Sequence, residues 1–191
     1  ASYLHKGVRF TFVDETSKQT HKYEHALGLP DYLNKILKDR SARPSHEQPF
    51  TIEKDNGYRM EAILQWTEST DEHIRSYVNG IPTGSGGTHE NGFRAGMSKA
   101  VRNYIDTHKL TPKGVTITAD DIREGMIAVV SVFISDPQFQ GQTKDRLNNS
   151  EVANAVDSAV RPALEQWLNN NRSIAELIVA RIILAARARA A

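Results

Sequence analysis

Alternating apolar and polar residues predict several strands in the first half of the chain. Residues 8–13 and residues 58–67 each show the two-residue period of a half-buried strand. Residues 18–24 are polar and predict a short edge strand. An Asn-Gly pair at 56–57 favours a hairpin turn, which would pair the strand at 58–67 with a strand around Phe50 and Ile52.

A helix and a loop separate these strands. The helix is predicted to begin at Pro30, with Asp31 in its first turn, where a negative charge is favoured. Residues 41–49 contain two prolines and predict a connecting loop.

The second half of the chain is predicted to be helical around one buried strand. Residues 74–81 predict a strand that ends before the glycine-rich stretch at 84–87. Residues 126–134 are almost continuously apolar and rich in β-branched side chains, as in a central strand buried on both faces. Between these two strands the pattern predicts a helix whose apolar face carries Phe93, Met97, Ala100, Val101, Tyr104 and Ile105.

Three further helices are predicted. Thr118 starts a short capped helix that ends near Gly125, and a long helix from about residue 152 contains Pro162, which should kink it. A capping box at 173–176 opens a terminal helix over residues 173–191. Together the elements predict the α+β class.

Composition excludes several kinds of protein. The 191 residues include 24 Lys+Arg, 23 Asp+Glu and no cysteine, which is typical of a globular domain and rules out disulfides, cysteine-ligated metals and a thiol nucleophile. No apolar stretch reaches the roughly 20 residues of a membrane span, so no membrane partner is predicted. The missing initiator Met predicts a processed chain or a fragment of a larger protein, with a cytoplasmic location.

Charge is segregated along the chain although its total is close to zero. Residues 14–72 hold 8 basic and 12 acidic residues, a net charge of −4. Residues 91–113 carry a net charge of +4, and residues 172–191 carry +3. The second half is therefore basic, which is compatible with a phosphate-bearing partner.

The glycine-rich stretch at 84–87 has two interpretations. It could be an anion-binding nest at a helix N-terminus, or a connection that lets neighbouring elements pack closely, which we favour. The stretch matches neither a dinucleotide-binding fingerprint nor a Walker loop. His89-Glu90 resembles the start of a zinc-protease motif, but Phe93 stands where the second His should be, so we predict no metal site.

Two more features carry candidate binding chemistry. In the polar loop at 137–144, Lys144 offers a point charge for a phosphate and Gln142 a neutral donor, although a solvated loop has the same composition. Arg94 and Arg102, with Lys99 nearby, form a basic stripe, for which we favour a solvated helix face over a binding surface. The residues alone predict a phosphate-binding domain without a complete catalytic constellation.

Seven short motifs resemble, in the same order, the transducer domain in the B subunits of bacterial type IIA DNA topoisomerases, and the similarity extends from about residue 7 to the end. The residues of these motifs most resemble those of the B subunit of DNA gyrase, with the equivalent subunit of topoisomerase IV as the alternative. The motifs are Ser76-Tyr77-Val78-Asn79-Gly80-Ile81, Gly86-Gly87-Thr88-His89-Glu90, Gly92-Phe93-Arg94, Asp121-Ile122-Arg123-Glu124-Gly125, Pro137-Gln138-Phe139, Gly141-Gln142-Thr143-Lys144 and Asn149-Ser150-Glu151-Val152.

The resemblance implies a fold and a division into domains. The fold would be the mixed sheet, packed with helices, of the second domain of GHKL ATPases, with a left-handed βαβ crossover and a long C-terminal helix. Residues 1–15 resemble the last strands of the preceding GHKL ATPase domain, and residues 16–191 resemble the transducer itself. The catalytic residues of that family lie in the preceding domain, so none is expected within this chain.

The resemblance also implies roles and partners. Gln142 and Lys144 would reach the γ-phosphate of ATP, whose Mg²⁺ is held by the ATPase domain, and Arg94 would face transported DNA. The domain would couple ATP binding and hydrolysis to DNA strand passage, with DNA, the topoisomerase A subunit and a second B subunit as partners. Two alternatives stay open: a stand-alone nucleic-acid-binding module of the same fold, and the equivalent domain of a mismatch-repair GHKL ATPase.

Overall fold

The computed structural model describes residues 1–55 and 57–191, which divide after Ser41 into two units. The predicted turn at 56–57 involves Asn56, which lies outside the described residues.

The first unit, Ala1–Ser41, is a strand hairpin followed by a helix. Strand β1 (Arg9–Asp14) pairs antiparallel with β2 (Gln19–Glu24), and helix α1 (Leu29–Asp39) follows. The paired strands β1 and β2 lie on either side of residue 15, and their pairing does not test where a preceding domain would end. The assignment of residues 1–15 to the end of a preceding domain therefore stays a prediction. The prediction of a half-buried first strand is wrong, because the hairpin has only two strands and its apolar side chains are largely exposed.

Helix α1 is amphipathic. It begins at Leu29, so Pro30 falls in the first turn, where its missing N–H costs no helical hydrogen bond. Its buried face is formed by Leu29, Tyr32, Leu33, Ile36 and Leu37.

The second unit, Ala42–Ala191, contains a five-stranded mixed sheet. In chain order its strands are β3 (Phe50–Asp55), β4 (Arg59–Trp66), β5 (His73–Val78), β6 (Ile81–Pro82) and β7 (Met126–Phe133). Their spatial order is β3-β4-β7-β5-β6, with β7 antiparallel to β4 and parallel to β5. The central, doubly buried strand predicted at 126–134 is thereby confirmed.

The strand predicted at 74–81 is interrupted. The chain reverses at Asn79 and Gly80, whose φ values of 49° and 79° are those of a type I′ turn, and β6 pairs back onto β5. The Asn79 side chain then accepts from the Ile134 N–H and donates to the Ile134 carbonyl, both at 2.9 Å. The Asn-Gly turn signal therefore outweighed the apolar run around it.

Four helices complete the second unit: α2 (Thr88–Thr107), α3 (Ala119–Arg123), α4 (Ser150–Asn170) and α5 (Arg172–Ala190). The predicted apolar face of α2 is buried in the core, where it meets the sheet and α4. The sheet and its helices confirm the α+β class. The left-handed sense of the crossover from β5 through α2 to β7 stays a prediction.

The two predicted capping boxes have different outcomes. The box at Thr118 is present, since Thr118 and Asp121 exchange side-chain and backbone hydrogen bonds. The box at 173–176 is wrong, because α5 begins one residue earlier, at Arg172, after Asn171. The Asn171 side chain donates to the Trp167 carbonyl at 2.8 Å and caps no N–H of α5. In the described part of the chain, no helix is both long and apolar enough to cross a membrane.

Candidate functional site

The loop that carries Gln142 and Lys144 is a narrow hairpin after β7. Its two sides are held by the bridge between Phe139 and Leu147 and by a hydrogen bond of 2.9 Å from the Gln140 N–H to the Arg146 carbonyl. Gln142 and Lys144 lie at its exposed tip. In residues 1–55 and 57–191, neither side chain has a hydrogen bond or an ion pair, so both are free to bind a ligand.

The base of this loop is bonded to the glycine-rich stretch. The Ser85 N–H donates to the Asp145 carbonyl at 2.9 Å, and the Leu147 N–H donates to the Gly86 carbonyl at 3.2 Å. A Cβ at Gly87, where φ is 138°, would lie 2.5 Å from the Leu147 nitrogen. Glycine is required there because only its small size allows the two backbones to approach so closely. We name residues 83–88 the loop seat.

The loop seat is not an anion nest. The Gly86 N–H donates to the Thr83 carbonyl at 2.9 Å and the Thr88 N–H to the Leu147 carbonyl at 3.0 Å, so both are already used. The Glu90 carboxylate also lies 3.0–3.4 Å from the Cβ position of Gly86, where it would repel an anion. The structure thus supports the close-packing interpretation of the glycines.

A chain of buried polar side chains lies beneath the loop seat. The Ser76 hydroxyl donates to Glu90 Oε2 at 2.7 Å, and Ser76 Oγ lies 2.8 Å from Thr83 Oγ1, which lies 3.0 Å from His89 Nε2. Because the Ser76 proton goes to the carboxylate, Thr83 must donate to Ser76 and accept from His89. His89 is therefore the Nε2–H tautomer, and its Nδ1 has no partner among the described residues.

Arg94 is engaged by two carboxylates. Its Nε lies 2.6 Å from Glu72 Oε1 and its Nη1 lies 2.8 Å from Glu90 Oε1, while Arg123 Nε approaches Glu72 at 3.2 Å. About a third of the Arg94 side chain (32%) stays exposed. The role of Arg94 in facing DNA is not tested by these contacts and stays a prediction.

The rest of the basic stripe is also committed to neighbours. Lys99 Nζ lies 2.7 Å from Asp157 Oδ2 on α4, and Arg102 donates to the Ile117 carbonyl at 3.2 Å. Both side chains nevertheless remain exposed, as the interpretation of a solvated helix face predicts. Lys99 obtains this carboxylate because α2 packs side by side with α4.

Sequence reasoning missed Glu90, Ser76 and Thr83 as members of the site. One signal was available, because Glu90 and Arg94 are four residues apart, the spacing of an ion pair along one helix face. The contact of Glu90 with Ser76 depends on how β5 packs against α2, which no local pattern shows. Among the described residues, no group of three His, Cys, Asp or Glu could hold a metal ion.

His89 makes the stability of the chain depend on pH. Burial disfavours its charged form and lowers the pKa from 6.5 to about 4, whereas the unfolded chain titrates near 6.5. Between pH 6.5 and pH 4, His89 is mostly protonated in the unfolded chain and mostly neutral in the folded chain. We expect the free energy of unfolding to fall by about 2 kcal/mol between pH 7 and pH 5 from this group, measured by urea titration.

The His89→Gln variant provides the control for this dependence. Its amide can still donate to Thr83 but does not titrate, so the variant should show a flatter pH profile than the unaltered chain. His46, whose pKa burial also lowers, contributes equally to both profiles. Parallel profiles would contradict the assignment to His89.

Comparison with known proteins gives a consistent family. The family model described as DNA gyrase B matches residues 28–191. The DNA gyrase B subunit of Eisenibacter elegans is 41% identical over the whole chain, and that of Archaeoglobus fulgidus is 38% identical. The chain spans 41% of the first relative and 29% of the second, so it corresponds to less than half of either.

Two solved structures have the same fold. The 43K ATPase domain of Thermus thermophilus gyrase B, in complex with an aminocoumarin, matches 98% of this chain with a TM-score of 0.87 and 30% identity. The topoisomerase IV ATP-binding domain of Francisella tularensis matches all of it with a TM-score of 0.83 and 35% identity. The chain covers 50% and 51% of these two structures, respectively.

Proposed function

Because this chain belongs to the DNA gyrase B family, we propose that it is the transducer part of an ATP-dependent type IIA DNA topoisomerase. Residues 16–191 would form the transducer, and residues 1–15 would be the end of the ATPase domain that precedes it. The proposed role is to couple ATP binding and hydrolysis to DNA strand passage. No residue of the chain itself would be catalytic.

The observation that carries this proposal is the exposed tip with Gln142 and Lys144 on a well-anchored loop. The Lys144 ammonium has no partner in the described part of the chain, so it fits a phosphate oxygen without breaking an existing contact. We propose that both side chains bind the γ-phosphate of ATP held by the preceding domain together with Mg²⁺. Lys144 would lose that contact with ADP, so its interaction differs between the two nucleotide states.

One contact of this kind is large enough to shift a domain equilibrium. A hydrogen bond to a charged group contributes roughly 1.5–3 kcal/mol, which changes a two-state equilibrium by about 10- to 150-fold. The loop seat transmits the position of the tip to β5 and α2 through backbone hydrogen bonds. This arrangement suits a sensor of the terminal phosphate.

Arg94 is the proposed contact to DNA. Its exposed third could meet a backbone phosphate. In the whole protein we also propose DNA, the topoisomerase A subunit and a second B subunit as partners, in the cytoplasm. The family relationship supports these partners, and the net charge of +4 over residues 91–113 supports DNA.

The chain by itself should not hydrolyse ATP. We expect no turnover from the purified 191 residues, and turnover once a longer chain includes the preceding ATPase domain, measured by phosphate release. The reason is that the proposed catalytic residues lie in that domain. Turnover that co-purifies with the 191-residue chain through successive columns would contradict the proposal.

A salt titration separates this function from a stand-alone nucleic-acid-binding module. Such a module should hold DNA at physiological salt and lose it steeply as salt rises. A transducer with its basic side chains in ion pairs should bind DNA weakly on its own. Tight, salt-sensitive binding by the isolated chain would favour the alternative.

A further inference from the structure

Glu90 lies where the two proposed functional regions meet. One carboxylate oxygen, Oε1, pairs with Arg94 at 2.8 Å, and the other, Oε2, accepts from Ser76 at 2.7 Å. The residue is only 8% exposed, so water does not replace either partner easily. Both oxygens of Glu90 are therefore in use: Oε1 pairs with the proposed DNA contact, Arg94, and Oε2 accepts a hydrogen bond from Ser76 of the sheet.

Ser76 on β5 connects Glu90 to Thr83, the first residue of the loop seat. Ser76 Oγ lies 2.8 Å from Thr83 Oγ1, and the Thr83 N–H donates to the Ser76 carbonyl at 2.9 Å. The Thr83 carbonyl in turn accepts from Gly86, whose own carbonyl accepts from Leu147 at the loop base. The Glu90 carboxylate also lies next to Gly86, since a Cβ at that position would be 3.0 Å from Glu90 Oε2.

We infer that Glu90 is a positioning residue that links Arg94 to the loop with Lys144, an inference that rests on the proposed roles of those two residues. A buried carboxylate that loses one of its partners becomes costly. A DNA phosphate that competes for Arg94 therefore weakens the pairing of Glu90, and the strain reaches Ser76, Thr83 and the loop seat. DNA contact and γ-phosphate sensing share one carboxylate in this chain.

The first test measures the link without ATP or DNA. In the 191-residue chain, Glu90→Gln should raise the amide hydrogen-exchange rates of Ser85 and Leu147 about tenfold, because the neutral amide holds the chain of hydrogen bonds less tightly. The matched control is Glu124→Gln, which removes a carboxylate that lies 3.5 Å from Arg181 and is not part of the chain of hydrogen bonds from Glu90 to the loop seat; it should leave both rates unchanged. Unchanged exchange in Glu90→Gln overturns the inference.

The second test uses the full-length B subunit assembled with its A subunit. Glu90→Gln should lower kcat/KM for ATP hydrolysis about tenfold and leave the affinity for ADP unchanged, since Lys144 is misplaced while the rest of the nucleotide pocket is intact. In a Lys144→Ala background the same change should add almost nothing. Independent, additive effects overturn the inference. Wild-type turnover in Lys144→Ala alone would refute the proposed function of Lys144, and the exchange measurement would then decide whether Glu90 holds the loop.

Discussion

Replacing Lys144 with alanine in the longer B subunit should lower ATP turnover by about 10- to 150-fold. This range is the loss expected from one charge-assisted contact to the terminal phosphate, roughly 1.5–3 kcal/mol. Alanine is the right substitution because Lys144 has a φ of 58°, and glycine would also relax the backbone of the loop. Phosphate release by the purified subunit measures the effect.

The nucleotide provides a control for this prediction. ADP has no γ-phosphate, so its affinity should be the same in Lys144→Ala and in the unaltered protein, whereas affinity for a non-hydrolysable ATP analogue should fall. Lys113→Ala, an exposed lysine of another loop, should have no effect on either nucleotide. Equal losses for both nucleotides would contradict a contact specific to the terminal phosphate.

Most of the fold could be predicted because its strongest signals are local. The continuous apolar run of β7 is typical of a strand buried on both faces. The apolar face of α2 is typical of a helix that packs on a core. Two of the errors arose where a nearby signal competed. At Asn79 the Asn-Gly turn interrupts the apolar run. Asn171 lies between the end of α4 and the start of α5, so α5 begins at Arg172, before the predicted cap residue Ser173.

The site was predicted less completely, for a different reason. Gln142 and Lys144 lie on one loop, and sequence alone placed them there. The hydrogen bonds that seat this loop join residues 83–88 to 145–147, and the contact of Glu90 with Ser76 crosses from helix to strand. Such long-range contacts depend on tertiary packing and leave no periodic trace in the sequence.

The close packing of α2 against α4 should make Gly92→Ala strongly destabilising. A Cβ at Gly92 would lie 2.3 Å from the Ala153 carbonyl oxygen and 2.9 Å from its Cα, and backbone atoms of a helix do not swing aside as a side chain does. The helices would have to separate along their contact. We expect a loss of roughly 3 kcal/mol in the free energy of unfolding, measured by urea titration.

The sign of this effect distinguishes packing from helix propensity. Alanine favours a helix by about 1 kcal/mol over glycine, so a chain whose helices could shift freely would gain stability from Gly92→Ala. Gly84→Ala is the control, because nothing lies within 4 Å of its Cβ position and its φ is ordinary. That variant should differ from the unaltered chain by less than about 0.5 kcal/mol. Since Gly92 lies between Glu90 and Arg94 on α2, the contact that keeps α2 close to α4 also fixes the two residues that lead to the loop seat.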